Sequence, residues 1–255
     1  MSRTMIKQTL RCLSLFFIIF QLFSAVSMAG ASPKILIAVT SHGVLGAETG
    51  EPTGYFLSEV SHAYYTFKNA GFEVVFTSPK GGTPPVTGVD MEDDDNKAFL
   101  KDKEAQEAIA HSIAAEKLDA SAYEAIYFAG GHGVMWDFKD DFFLQRASRV
   151  IYEKGGVVSA VCHGPAGIVD IKLSNGKYLV DGKNIATFTN DEEEAIGLTD
   201  VVPFALETAL VKRGAIVHKA DMFQEKVVVD RRLVTGQNPA SARAVAEKVV
   251  AVLHK

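Results

Sequence analysis

The chain has 255 residues, 47% of them hydrophobic, with 26 basic and 31 acidic side chains and a formal charge of −5. That length fits a leader followed by one large hydrophobic core. The acidic balance argues against nucleic acid and anionic membrane surfaces as partners. At the N-terminus, Arg3, Lys7 and Arg11 precede an apolar run from Leu13 to about Val26, and Ser27, Ala29 and Ala31 follow. This is the layout of a secretory signal peptide over residues 1–31, cut after Ala29 or Ala31. A retained anchor is the alternative, but a full span needs ~20 apolar residues and Gln21 interrupts this run. Cleavage predicts an exported protein, periplasmic or secreted, with no stable membrane insertion. Removing the leader's three basic residues leaves 23 Lys and Arg against 31 Asp and Glu, a charge of −8. Cys12 leaves with the leader, so Cys162 is the one remaining thiol and no internal disulfide is expected.

Beyond the leader, strand-like and helix-like segments alternate. Lys34–Thr40 is a short continuous apolar run, as for a strand buried on both faces. Tyr55–Ala70 has an amphipathic helix pattern closed by Gly71, and Glu73–Ser78 is the second strand. The acidic run Glu92–Asp95 lacks the glycine and distal glutamate of a calcium loop and reads as a solvated loop before a helix. Ala125–Ala129 is a third strand, ending in Gly130-Gly131-His132-Gly133. Phe142–Glu153 is a helix closed by Gly155-Gly156, and Val157–Val161 is the fourth strand. Ser174–Lys177 and Val180–Lys183 are two-residue hairpin signals, the second leading into a strand at Asn184–Thr189. Lys226–Val229 and Leu233–Thr235 form a hairpin around Asp230-Arg231-Arg232, and Asn238-Pro239 opens a last helix, Ala240–Leu253. The alternation predicts an α/β fold over residues 32–255, a three-layer sandwich with a mainly parallel sheet and small β-hairpin insertions.

In such sheets, sites form at the carboxyl ends of strands. The fourth strand ends at Cys162, flanked by Ala160 and Gly164. A strand that stops at a thiol and turns into a helix holds a nucleophile where free N–H groups face it, and small residues relieve the crowding. A lone cysteine in an apolar run is more often a small buried hydrophobe, but a core strand does not break into His163-Gly164-Pro165. The helix N-terminus lowers the thiol pKa. His163 is adjacent, so its ring can face the sulfur or point away. Glu193, in Thr189-Asn190-Asp191-Glu192-Glu193, can hold that ring as the third group of a triad, or serve only as a first-turn helix acid. Gly130 and Gly131 let backbone N–H groups approach a substrate oxygen, forming an oxyanion hole with the N–H of His163. His132 follows them directly. Glu59 has Tyr55, Phe56 and Ala63 on its side of the helix and one strongly polar neighbour, His62. A carboxyl buried there has a raised pKa and can move protons beside the sulfur; the alternative is a solvated helix residue. Thr40-Ser41-His42-Gly43 ends the first strand. The histidines show no clear metal-ligand spacing, so no metal is expected.

Ala160–Ala166 (Ala-Val-Cys-His-Gly-Pro-Ala) resembles the nucleophile elbow of the PfpI-type (DJ-one/PfpI) superfamily, whose fold is flavodoxin-like, of the class I glutamine amidotransferase type. Thr53-Gly54…Glu59, Gly130–Gly133, Phe188–Asn190 leading to Glu193, and Leu233–Ser241 extend the match to nearly all of residues 33–255. Together they resemble the branch of glutathione-independent glyoxalases (glyoxalase III, or D-lactate dehydratase) and heat-shock chaperones. The resemblance implies Cys162 as nucleophile, His163 and Glu193 as triad partners, Glu59 as the proton-handling acid, and Gly131 and His163 as oxyanion donors. It also implies a small 2-oxoaldehyde substrate, no cofactor, and a homodimer. The alternatives are a stress holdase, a thiol redox sensor, and a cysteine peptidase, amidase or deglycase using the same thiol. Glutaminases of this fold carry a late His-x-Glu pair; here His218 is followed by Lys219 and Ala220.

Overall fold

A computed structural model describes residues 32–46 and 50–255. The expected signal peptide, residues 1–31, lies outside the described residues. The chain enters through β1 (Lys34–Ala38), makes a short strand β2 (Tyr55–Phe56) and passes directly into α1 (Leu57–Asn69). Next come β3 (Glu73–Ser78), β4 (Val86–Thr87), α2 (Asp94–Lys101), α3 (Lys103–Ala110) and β5 (Ile113–Ala114). The middle supplies β6 (Tyr123–Phe128), α4 (Val134–Asp137), α5 (Phe142–Glu153) and β7 (Val157–Val161). Then follow β8 (Asn184–Ile185), α6 (Asn190–Ala195), α7 (Leu206–Lys212) and β9 (Ile216–Val217). The hairpin β10 (Val227–Asp230) and β11 (Leu233–Gly236) and the helix α8 (Ala242–Leu253) complete the fold.

Seven strands form one sheet in the order β10-β11-β7-β6-β1-β3-β5. All neighbours are parallel except the antiparallel pair β10 and β11. Successive side chains point to opposite faces of a strand, and here both faces are covered. Ile35, Ile37, Ala125, Tyr127, Val157 and Val161 pack with α1 residues Val60 and Phe67 and with α8 residues Val245 and Val249. Leu36, Ala38, Ile126, Phe128, Val158 and Ala160 pack with Leu144, Ala147 and Ile151 of α5. Burial on both sides is why these strands read as unbroken apolar runs. The predicted α/β sandwich with a mainly parallel sheet is therefore the observed fold.

The differences have local causes. β1 ends at Ala38, although the Val39 N–H still donates to the Thr77 carbonyl, and the Thr40 hydroxyl beyond it donates to Asp137. Tyr55 and Phe56 are extended rather than helical: their N–H groups donate to Pro85 and Gly130 carbonyls, and β2 pairs with β4. Asp93 is not merely solvated, since its carboxylate caps α2 by accepting from the Asn96 N–H at 2.9 Å. The expected strand Asn184–Thr189 is paired only at Asn184–Ile185, with β9 and in parallel, so the turn before it closes no hairpin. Further on, the Ala186 N–H donates to the Thr235 hydroxyl and the Phe188 N–H to the Cys162 carbonyl. That segment runs across the carboxyl ends of the sheet instead of joining it. The last helix begins at Ala242, after a 3-10 turn over Pro239–Ser241.

Candidate active site

The chain turns at the cysteine itself. β7 ends at Val161, and Cys162 has φ +59°, a left-handed conformation rare outside glycine. Such strain costs about 1–3 kcal/mol and persists only where the surroundings over-determine it. Here the Cys162 N–H donates to the Gly236 carbonyl at 3.0 Å, and its own carbonyl accepts from Phe188 at 2.9 Å. Gly164 allows the close return of the chain, since a Cβ there would run into the Phe128 carbonyl.

One expectation about the sulfur is corrected. The segment after the turn is a five-residue 3-10 turn, Gly164–Ile168, too short to supply a strong helix dipole. The sulfur is buried: Cys162 is 3% exposed. Its surroundings are polar nonetheless. The N–H groups of Gly131 and His163 and the Glu59 carboxyl all act on it, and Glu59 Oε1 is buried with no hydrogen-bond partner of its own. His163 Nδ1 lies 3.3 Å from Sγ. Burial, together with a charged Glu59, pushes the thiol well above its ordinary value, against the pull of the two N–H groups. A protonated Glu59 removes the repulsion and offers the sulfur a donor instead.

Glu59 is fully buried, near the N-terminal end of α1. Its Oε2 accepts from the Gly130 N–H at 2.6 Å. Burial lifts its carboxyl to about 8, and the Gly130 N–H and the neighbouring thiol offset this only in part. The acid therefore keeps its proton at neutral pH and is poised to lose it just above. Gly130, expected as an oxyanion donor, has its N–H committed to Glu59. Gly131, with φ +90°, keeps its N–H on the sulfur, in the place the oxyanion role requires.

His163 faces the sulfur. Its Nε2 pairs with Glu193 Oε2 at 2.8 Å. A carboxylate accepts, so this bond assigns the ring proton to Nε2 and leaves the Nδ1 lone pair towards the thiol. The Phe188 ring packs on it, with centroids 4.3 Å apart. Burial first, and His132 second, lower His163 to about 4 against the pull of Glu193, so the imidazole is a neutral base at pH 7. Burial opposes ionisation of Glu193, but hydrogen bonds from His132 and His163 prevail and hold it at about 2. With His163 neutral, the N–H donors do most of this work.

The acidic row in α6 divides its labour. Glu192 closes a capping box with Thr189 and accepts from the Phe223 N–H at 2.8 Å and the Asn238 amide at 2.9 Å. Glu193 turns to the histidines. His132, expected beside the substrate oxygen, instead donates from Nε2 to Glu193 Oε1 at 3.0 Å and lies 4.1 Å from the His163 ring. It positions the carboxylate. His132, His163 and Glu193 bring three donor atoms within 4.8 Å of one another.

Thr40 and Ser41 serve Asp137, a group the sequence did not single out. Asp137 accepts from the Thr40 hydroxyl at 2.9 Å and the Ser41 N–H at 2.7 Å, and burial lifts it to about 6. Only its place four residues after Gly133 hinted at this. A cavity of about 180 Å³ is lined by Phe188, Thr189, Glu193 and Leu206, so it reaches the carboxylate end of the triad rather than the sulfur.

The profile of the DJ-1/PfpI family matches residues 52–252. The chain belongs to the DJ-1/PfpI family. Among curated DJ-1/PfpI relatives, Glyoxalase 3 of Candida albicans is 33% identical, over 86% of this chain and 97% of that one. The glutathione-independent glyoxalase HSP31 of Saccharomyces cerevisiae is 32% identical, over 88% and 99%. Among solved structures, glyoxalase III of Candida albicans superposes with a TM-score of 0.81 at 32% identity, over 86% and 97% of the two chains. Rapid Encystment Protein 24 kDa of Francisella tularensis gives 0.83 at 38%, over 87% and 99%. The resemblance carried by Ala160–Ala166 and its companion segments is thereby borne out, down to the glyoxalase III branch of the DJ-1/PfpI family.

Proposed function

We propose that this protein is a glutathione-independent glyoxalase converting methylglyoxal or a related 2-oxoaldehyde to the 2-hydroxy acid, D-lactate in the case of methylglyoxal. The observation that carries the proposal is the Cys162 thiol held between a neutral His163 and a buried Glu59 whose carboxyl titrates at about 8. His163 Nδ1 takes the thiol proton as sulfur bonds to the aldehyde carbon, and the carbonyl electron pair moves onto oxygen. The N–H groups of Gly131 and His163 stabilise that oxygen. His163 returns the proton to it, giving a hemithioacetal. Ionised Glu59 removes the hydrogen from the same carbon, forming an enediolate, and delivers it to the neighbouring carbon, while the hydroxyl proton on the first oxygen passes to the second. The resulting 2-hydroxy thioester is hydrolysed by water, which frees the acid and restores the thiol. The net change is addition of one water with no net oxidation. A general base with a pKa near the working pH suits the central step. A sulfur this buried suits a small aldehyde better than a peptide chain.

The test is glutathione-free turnover of methylglyoxal with enantiomer-specific detection of lactate. D-lactate is expected from the wild type, none from Cys162→Ser, and at least about 100-fold less from Glu59→Gln. Full turnover by Cys162→Ser would overturn the proposal. Export is part of the same proposal, and mass spectrometry of the native N-terminus tests it: cleavage leaves Gly30 or Ser32 first.

A further inference from the structure

His132, His163 and Glu193 offer two imidazole nitrogens and a carboxylate oxygen, all within 4.8 Å of one another. We propose that this set is a binding site for a first-row divalent cation such as Zn²⁺, on the side of the His163 ring away from Cys162. Two imidazoles and one carboxylate with an open position form a donor set that such ions favour. The donors are already gathered: the carboxylate sits between the two rings, 3.0 Å from His132 Nε2 and 2.8 Å from His163 Nε2. Phe188 at 4.3 Å and the contact between the two imidazoles at 4.1 Å fix the rings, so little ordering is left to do on binding. Glu193 lines the cavity of about 180 Å³, and the His132 side chain is 19% exposed, so two of the three donors meet open space.

Binding exchanges two N–H···O hydrogen bonds for coordination at about 2.0–2.2 Å. Each Nε2 gives its lone pair to the cation, so its ring proton moves to Nδ1. On His163 that nitrogen is the one 3.3 Å from Sγ. The lone pair that accepts the thiol proton is then occupied by hydrogen, and the base is lost although the cation never touches sulfur. Binding follows from the geometry alone. The consequence, inhibition by a tautomer switch, rests on the glyoxalase proposal.

The rival site is the thiol, so the experiment separates the two. Zn²⁺ is titrated into the full-length wild type, Cys162→Ser, His132→Gln and Glu193→Gln in competition with a chromophoric chelator. Circular dichroism checks that each variant is folded. Cys162→Ser is expected to bind as the wild type does, and each of the other two at least about tenfold more weakly. Co²⁺ in the wild type is expected to show visible ligand-field bands without a sulfur-to-metal charge-transfer band. Binding lost in Cys162→Ser, binding retained in both other variants, a charge-transfer band, or no binding at all would each overturn the site. Methylglyoxal turnover is expected to fall on adding Zn²⁺ and to return with a chelator. Metal-free protein that shows no turnover yet binds in this pattern would sink the glyoxalase proposal and leave the cation site standing.

Discussion

Glu59 makes the fold less stable, and by a calculable amount. In an open chain its carboxyl titrates near 4.5, and burial in the folded protein lifts it to about 8. Between those values the folded chain holds a proton that the unfolded chain has released. Its contribution is therefore intact below pH 4.5 and declines by about 1.4 kcal/mol per pH unit until the folded group ionises. Glutamine has nearly the same shape, still accepts from the Gly130 N–H, and never ionises. Glu59→Gln should thus match the wild type near pH 4, exceed it by about 3 kcal/mol at pH 7, and by about 4–5 kcal/mol at pH 8.5. Urea denaturation of both proteins at those three pH values measures the difference directly. The same substitution removes the proposed base, so a more stable protein is expected to be a nearly inactive one. A variant no more stable than wild type at the highest pH, or a difference flat with pH, would refute the assignment of Glu59 as a buried, proton-holding acid.

Turnover of methylglyoxal should rise with pH through a midpoint near 8 as Glu59 loses its proton, and a profile flat between about pH 6 and 9 would exclude it as the base. His163 behaves oppositely. Burial lowers it from 6.5 to about 4, so its contribution is present above pH 6.5 and roughly 3 kcal/mol is lost as pH falls to 4. Denaturation of wild type against His163→Asn across that range should show the gap closing, and a constant gap counts against a neutral imidazole. Asp137→Ala leaves the Ser41 N–H without its acceptor, and thermal melts should show a loss of about 1–3 kcal/mol. Gly164→Ala forces a methyl group against the Phe128 carbonyl. A loss of about 1–3 kcal/mol is expected there, with slower alkylation of Cys162 as the elbow shifts.

Much of the architecture was legible because burial on both sides leaves a plain trace. Glu73–Ser78, Phe142–Glu153 and Val157–Val161 match the observed elements to the residue, since an apolar run bounded by glycine has few other solutions. Cys162, His163, Glu193 and Glu59 were all named beforehand and all meet at one point. Hydrogen-bond traffic was not legible. Nothing in the composition says that the Gly130 N–H goes to Glu59, or that Glu192 is consumed by capping while Glu193 serves the histidines. The stretch Ala186–Thr189 has strand-like residues, but its bonds go to a threonine hydroxyl and to the carbonyl of the nucleophile. His132 and His163 come from different strand ends, so only the parallel pairing of β6 and β7 reveals them as neighbours.

The two bonds that pin Cys162 come from Gly236 and Phe188, both later in the chain than the cysteine. A ribosome that has just released the Val157–Pro165 stretch has made the nucleophile but not its clamp. Reactivity should therefore switch on late, when the hairpin ending at Gly236 docks beside β7. Polypeptides ended before that hairpin carry Glu59, Cys162, His163 and Glu193 intact and are still expected to be inert towards aldehydes.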